Sequence, residues 1–309
     1  MTRGVTDLDG VINLLKPPGM TSHDCVAIIR RMLGTKKVGH TGTLDPAACG
    51  VLPLCVGRAT RLAEYAQQDD KSYRAEIIIG LTTDTHDLQG RVTSRKTCRG
   101  LPVERVRDAL DNFKGSIRQI PPDYSAVKHK GEKLYELARR GVQVPEKPRT
   151  VVVKDLKLIS FVNNIPFPRL TVDVHCSKGT YIRSLCRDIG DLLSTGAVLS
   201  FLVRTSSGPF KLENSWTKEE IETAISLGDY HFLASPNAML TNFPAVVVKS
   251  SAVKRVKNGV VVTSEDILTP VPSDNQKMVK VLHGDDLLAV GQLNHTDNGI
   301  MIKPRKVLI

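Results

Sequence analysis

Apolar and polar positions alternate along the chain with two periods, and each period marks a different kind of element. Residues 11–15 form a short apolar run that predicts a strand. It is closed by Lys16-Pro17-Pro18-Gly19, where the prolines fix the backbone and glycine permits reversal. Thr21 or Ser22 then caps a helix whose apolar residues Cys25, Ile28, Ile29 and Met32 fall on one face. Residues 51–56 read as a buried strand and residues 57–62 as the start of a helix. Over residues 73–80 the period drops to two, with Tyr73, Ala75, Ile77 and Ile79 on one face, so Tyr73 stands at a strand end. A polar loop over residues 82–87, with Gly90, follows. Val103, Val106, Leu110 and Phe113 return to helical spacing, with Gly115 as the stop.

In the second half, Leu170, Val172, Val174 and Cys176 alternate with Arg169, Thr171, Asp173 and His175, as in a half-buried antiparallel strand. Residues 177–180 turn into a helix with Ile182, Leu185, Cys186 and Ile189 inward. Arg183 falls in its first turn, where a cation opposes the helix dipole and calls for a compensating carboxylate. Thr217 followed by Glu220 is a capping box opening a helix that ends near Gly228. Residues 236–244 read as a linker. Beyond it, short apolar stretches at 245–248, 260–262, 279–282, 287–293 and 299–302 have the pattern of a small β-barrel. The elements make an α+β protein, and a length of 309 residues favours two domains, 1–240 and 241–309.

The formal net charge of +11 points to a polyanionic partner, because lysine and arginine placed on phosphates displace counterions. Charge alone does not choose between RNA, DNA and a membrane surface. Residues 128–149 carry seven basic and three acidic side chains, and the segment from about 122 to 150 reads as a basic insertion around a short helix at 132–140. The six cysteines are scattered without zinc spacing and read as buried thiols of a reducing cytosol. No apolar run reaches the length of a membrane span, and residues 1–9 lack a signal-peptide pattern, so the expected location is cytoplasmic.

The stretch with most chemical promise is Gly39-His40-Thr41-Gly42-Thr43-Leu44-Asp45-Pro46. Two glycines and a following proline put Asp45 in a constrained loop. By residue type Asp45, His40, His86 and Asp87 could form a metal hydrolase, yet no ligand spacing supports it. A Walker or dinucleotide glycine pattern is absent. What remains is an aspartate able to act as nucleophile or base, a tyrosine able to stack on a ring, and an arginine. An opposite charge nearby lowers a carboxylate pKa and would keep Asp45 ionised. With the basic balance, this favours chemistry on a nucleobase.

Residues 39–46 continuing through Gly50-Val51-Leu52-Pro53, together with 15–22, Asp70-Lys71-Ser72-Tyr73-Arg74, Thr83-Asp84-Thr85-His86-Asp87 and 176–183, resemble the TruB family of bacterial tRNA pseudouridine synthases. The blocks keep the family's order and span residues 11 to about 210. The resemblance implies a pseudouridine synthase fold with a mixed, mainly antiparallel sheet flanked by helices and a PUA-like barrel at the end. It implies isomerisation of uridine 55 in the tRNA T loop, without cofactor or metal. By motif, Asp45 is then the essential aspartate, attacking base or sugar, Arg183 its partner, and Tyr73 the residue that stacks on uracil and serves in proton transfer. His40 has a recognition role, Asp87 helps hold the target nucleotide, Lys16 the loop around Asp45, and Leu202 packs against the uracil. The basic insertion resembles the family's thumb, closing on the T arm, and the C-terminal region is expected to contact the acceptor end.

Cys49, Val198 and Val203 depart from the family's usual residues, the last two at positions of expected RNA contact. Two rival readings are a non-catalytic tRNA-binding or folding protein and a guide-RNA-dependent synthase. The intact Asp45, Tyr73 and Arg183 oppose the first, and the basic insertion opposes the second. A monomer with no obligate protein or guide-RNA partner is the expected state.

Overall fold

Residues 8–122, 128–129, 132–133, 140, 148–297 and 299–309 are described by the structure, a computed structural model. Among them, ten strands join in one mixed sheet. Its spine runs Leu233–Ala234, Gly10–Lys16, Cys49–Val56, Ala197–Ser207, Lys71–Ile79, Arg169–Cys176, Arg149–Val162 and Gly115–Gln119, with Val38–His40 and Phe210–Lys211 paired beside it. Every pairing is antiparallel except one at the centre. There Cys49–Val56 runs parallel to Ala197–Ser207, with Val203 opposite Cys49 and Arg204 opposite Gly50. That junction is tight, because a Cβ on Gly50 would lie 2.3 Å from the Arg204 carbonyl oxygen, and Gly50 has φ +106°. Only glycine fits both conditions without strain.

Period-two patterning decides which face is covered. Ala75, Ile77 and Ile79 from Lys71–Ile79 and Leu170, Val172 and Val174 from Arg169–Cys176 are buried with Val106 and Leu110 of helix Val103–Asp111 and Ile182, Leu185, Cys186 and Ile189 of helix Ile182–Leu192. A second cluster joins Ile12, Leu14, Leu52 and Leu54 to Cys25, Val26 and Ile29 of helix Ser22–Met32 and Ile221 of helix Lys218–Ser226. Both of these latter helices open on capping boxes, Thr21 with Asp24 and Thr217 with Glu220. Each box satisfies two orphaned backbone N–H groups.

The C-terminal region, expected as a small β-barrel, is a five-stranded sheet in the order Ala245–Val247, Met278–His283, Asp286–Thr296, Gly299–Val307, Val262–Thr263, curled into a half-barrel. Helix Ser250–Lys257, which apolar periodicity over so short a span did not reveal, buries Ala252 and Val256 against it. The stretch at 236–244 is not a loose linker. Met239 and Leu240, on the 3-10 turn Pro236–Leu240, are buried in a cluster that holds Val11, Val51 and Cys55 together with Leu282, Leu287, Val290 and Leu308. In the basic insertion, Glu132–Lys133 pairs with Lys128–His129 as a strand, so the helix expected over 132–140 does not begin there. The rest of that helix and most of the insertion lie outside the described residues. Among the described residues no helix is long and apolar enough to cross a membrane.

Candidate active site

The loop bearing Asp45 leaves strand Val38–His40 and enters Cys49–Val56, and it is fastened from three sides. Lys16, 0% exposed, extends its ammonium group beneath it and donates to the carbonyls of Pro17 at 2.9 Å, Pro46 at 3.2 Å and Ala48 at 2.6 Å. A buried ammonium without such acceptors would be strongly destabilising, so these bonds fix the loop as much as they satisfy the lysine. Ser22 Oγ accepts from Leu44 N at 2.9 Å, and the Gly19 N–H donates to the Pro46 carbonyl at 2.8 Å. On the sheet side Arg204, 1% exposed, donates from Nε to the Val51 carbonyl at 2.7 Å and from Nη2 to that of Gly42 at 3.2 Å.

Arg183 answers the need for a carboxylate near its helix N-terminus with two. Its Nε lies 2.9 Å from Asp45 Oδ2 and its Nη2 donates to Asp45 Oδ1 at 3.2 Å, a two-point grip on one carboxylate. Its Nη1 is 3.6 Å from Asp87 Oδ2 and donates to the Thr85 carbonyl at 3.3 Å. The guanidinium side chain is 5% exposed, whereas 41% of the Asp45 side chain remains open. Asp87 is itself held, its Oδ1 accepting from Thr85 Oγ1 at 2.6 Å and Gln89 N at 2.9 Å. The helix that aims Arg183 is fixed at its start by Gln119, whose amide receives the Tyr181 N–H at 2.7 Å and donates to the Tyr181 carbonyl at 3.0 Å.

The net electrostatic effect on Asp45 differs from the sequence expectation. Burial by the surrounding walls is the first cause and pushes its pKa up, although one edge stays open. Arg183 pulls it back, and the like charge of Asp87 pushes it up again. The arginine therefore offsets burial rather than setting an unusually acidic carboxylate.

Tyr73 is half-buried, packs against the cluster containing Leu44, Ala75 and Leu202, and feels the Asp45 charge. Its phenol is pushed up by burial and pulled back by Arg204. Leu202, opposite Ala75, is buried in this floor. His40 stands five residues before Asp45, its ring edge-to-face with His23 at 5.3 Å. Burial, then His23 and Arg204, lowers its pKa to about 4, so the ring is neutral at ordinary pH. His40 Nδ1 is buried with no hydrogen-bond partner among the described residues. All seven residues singled out from the sequence thus lie in or directly behind one region.

Two further residues of this region, Arg204 and Gln119, escaped the sequence reading. Arg204 carried a signal, since it lies two positions after Leu202 in an alternating strand and so shares its inward face. Gln119 carried none beyond its place at a strand end. Four thiols are buried as expected, but Cys49 and Cys98 are only half-buried. Among the described residues no three His, Cys, Asp or Glu side chains converge to hold a metal. A separate cavity of about 360 Å³, lined by Leu14, Met20, Ile28 and Cys49, lies beside Lys16 and includes neither Asp45 nor Arg183.

Residues 30–182 match the TruB family pseudouridylate synthase N-terminal domain, and residues 183–241 the tRNA pseudouridylate synthase B C-terminal domain. The tRNA pseudouridine synthase B of Moorella thermoacetica is 46% identical over 302 residues, 97% of this chain and 99% of the relative. That of Symbiobacterium thermophilum is 52% identical over 255 residues, 82% and 83% of the two chains. Among solved structures, one of a Cbf5-Nop10-Gar1 complex aligns with a TM-score of 0.75 at 29% identity, covering 97% of this chain and 85% of the other. One of an H/ACA RNP bound to a substrate RNA containing 2′-deoxyuridine aligns at 0.74 and 26%, with the same coverages. The chain belongs to the TruB family of pseudouridylate synthases, the pseudouridine-forming isomerases.

Proposed function

We propose that this protein converts uridine 55 in the T loop of tRNA to pseudouridine, with Asp45 as the essential carboxylate. The observation that carries the reading is the two-point grip of buried Arg183 on a carboxylate whose other edge stays open beside Tyr73. The names of the bacterial relatives support tRNA as the substrate.

A base inside a stacked loop is out of reach, so the target uridine is flipped into the cleft, and unstacking costs about a few kcal/mol that phosphate and stacking contacts offset. Asp45 then attacks the base or the ribose, and the glycosidic bond breaks. The detached uracil rotates and C5 joins the ribose carbon that N1 has left. C5 loses its proton and N1 gains one, so the sum is redox-neutral and consumes no co-substrate. Tyr73 stacks on the ring and serves in proton transfer, Leu202 packs against the uracil, and Asp87 helps hold the nucleotide. Lys16 holds the loop. His40, kept neutral, is an RNA-recognition residue. Residues 1–240 form the catalytic part, with the basic insertion at about 122–150 as a thumb on the T arm. Residues 241–309 form a PUA-like part for the acceptor end. The protein acts in the cytoplasm as a monomer, without cofactor, protein partner or guide RNA.

The test is release of tritium from C5-labelled uridine in a T-stem-loop transcript by the purified protein alone. Wild type releases label, and Asp45→Asn abolishes release while still binding the RNA. Binding without release by wild type would remove the enzyme reading and leave a tRNA-binding or folding protein. A second reading, guide-RNA dependence, draws on the likeness to Cbf5 complexes. Release that requires an added guide RNA would favour it.

A further inference from the structure

Arg204 is one of the largest fully buried side chains of the protein, and the reaction outlined above gives it no task. Among the described residues it makes no ion pair with a carboxylate. An arginine so enclosed stays charged, and its five N–H donors must find acceptors. Two go to the carbonyls of Val51 and Gly42, on either side of Asp45 in sequence. Tyr73 stands opposite Arg204 in the antiparallel register, so the two side chains share a face of the sheet, and each is an electrostatic partner of the other.

We infer that Arg204 is a positioning residue for Tyr73, occupying the acceptor side of the phenol oxygen so that the phenol's own proton is directed into the cleft, while tying the tyrosine to the Asp45 loop. The inference rests on the proposed isomerase reading of the site. A guanidinium is donor-only, so in this contact the phenol oxygen can only accept. Its single hydrogen then has to point away from the guanidinium, and Asp45 is another charged group that the phenol feels. The close approach at Gly50 brings the Arg204 backbone against the loop and lets one side chain reach both. Arg204 also pulls the buried phenol's pKa back down, and the two groups stabilise each other's polar forms.

A residue that merely staples the loop would not move the phenol, and two measurements separate the cases. The first uses RNA-free protein carrying tyrosine labelled with ¹³C at Cζ, with the Tyr73 resonance assigned by its loss in Tyr73→Phe. Arg204→Met should shift that resonance at pH 8 and move its titration to higher pH, with Arg204→Lys intermediate. An unmoved resonance in both folded variants overturns the inference. The second is single-turnover tritium release under saturating stem-loop RNA. Arg204→Met should lose at least tenfold in rate with its RNA Kd within threefold of wild type. On a Tyr73→Phe background the same substitution should cost less than threefold, since coupled residues are non-additive. The full tenfold loss persisting without the phenol, or no loss at all, overturns the inference. Where Arg204→Met does not fold, Arg204→Lys, which keeps the charge but not the fork, is read by the same two criteria. Failure of wild type to release label would overturn the isomerase reading instead, and the Cζ experiment would still decide the Arg204 contact.

Discussion

At the scale of single residues, the Asp45 carboxylate is balanced between burial and the charges around it. In the proposed reaction Asp45 attacks as a carboxylate, and its pKa is pushed up first by burial and then by Asp87, against the pull of Arg183. The acid limb of kcat/KM, which reports the free enzyme, should therefore lie above the ordinary carboxylate range. Removing the like charge in Asp87→Asn lowers the Asp45 pKa and moves the limb to lower pH. Removing the opposing charge in Arg183→Gln raises it and moves the limb to higher pH. Both variants lose rate, and the direction of the limb, read from pH profiles of tritium release, is the check. Shifts in the same direction would contradict the balance. The sequence supplied Asp45, Arg183 and Asp87 by motif, but not this sign. The pairing of Arg183 with Asp45, 138 residues apart, was implied by the family resemblance, whereas the desolvation that outweighs it depends on walls contributed by distant strands.

At the scale of elements, patterning was a good guide wherever one face was buried. The alternation of Tyr73, Ala75, Ile77 and Ile79, the inward helix positions Ile182, Leu185, Cys186 and Ile189, and the Thr217–Glu220 box all stand as the periodicity and capping rules require. Where it failed, the reason was tertiary. Helix Ser250–Lys257 is two turns long with few apolar positions, and stretch 236–244 looked like a linker because the partners of Met239 and Leu240 lie far away in sequence. The parallel pairing at Gly50 was also invisible, since nothing local foretells which strand will lie alongside. It yields a sharp test. Gly50→Ala places a methyl group against the Arg204 backbone and forces φ +106° on a residue with a Cβ. The backbone term alone is about 1–3 kcal/mol. The variant should melt several degrees below wild type and lose turnover more than RNA affinity, whereas Gly34→Ala, also at positive φ but with open space around it, should pay only the backbone term.

At the scale of the whole molecule, the curled C-terminal sheet is packed against the ten-stranded sheet. Leu282, Leu287, Val290 and Leu308 share a buried cluster with Val11, Val51, Cys55 and Phe210, and Arg61 Nη1 donates to the Val307 carbonyl at 2.6 Å. A chain ending at residue 244 would uncover that apolar face, and exposed contiguous apolar surface is a liability in water. Such a truncation should melt at a lower temperature and bind an apolar dye that the full chain ignores. A truncated protein with the wild-type melting temperature would mean that the two sheets are energetically independent.

The Lys16 ammonium, wholly enclosed and bonded to three carbonyls around the Asp45 loop, has one more consequence. An amine-reactive reagent can modify it only during excursions in which the loop lets go, while surface lysines react at once. Its acylation half-life, followed by peptide mass spectrometry, is then an internal clock for local opening of the site. Bound stem-loop RNA should slow that clock well beyond any change at surface lysines remote from the RNA.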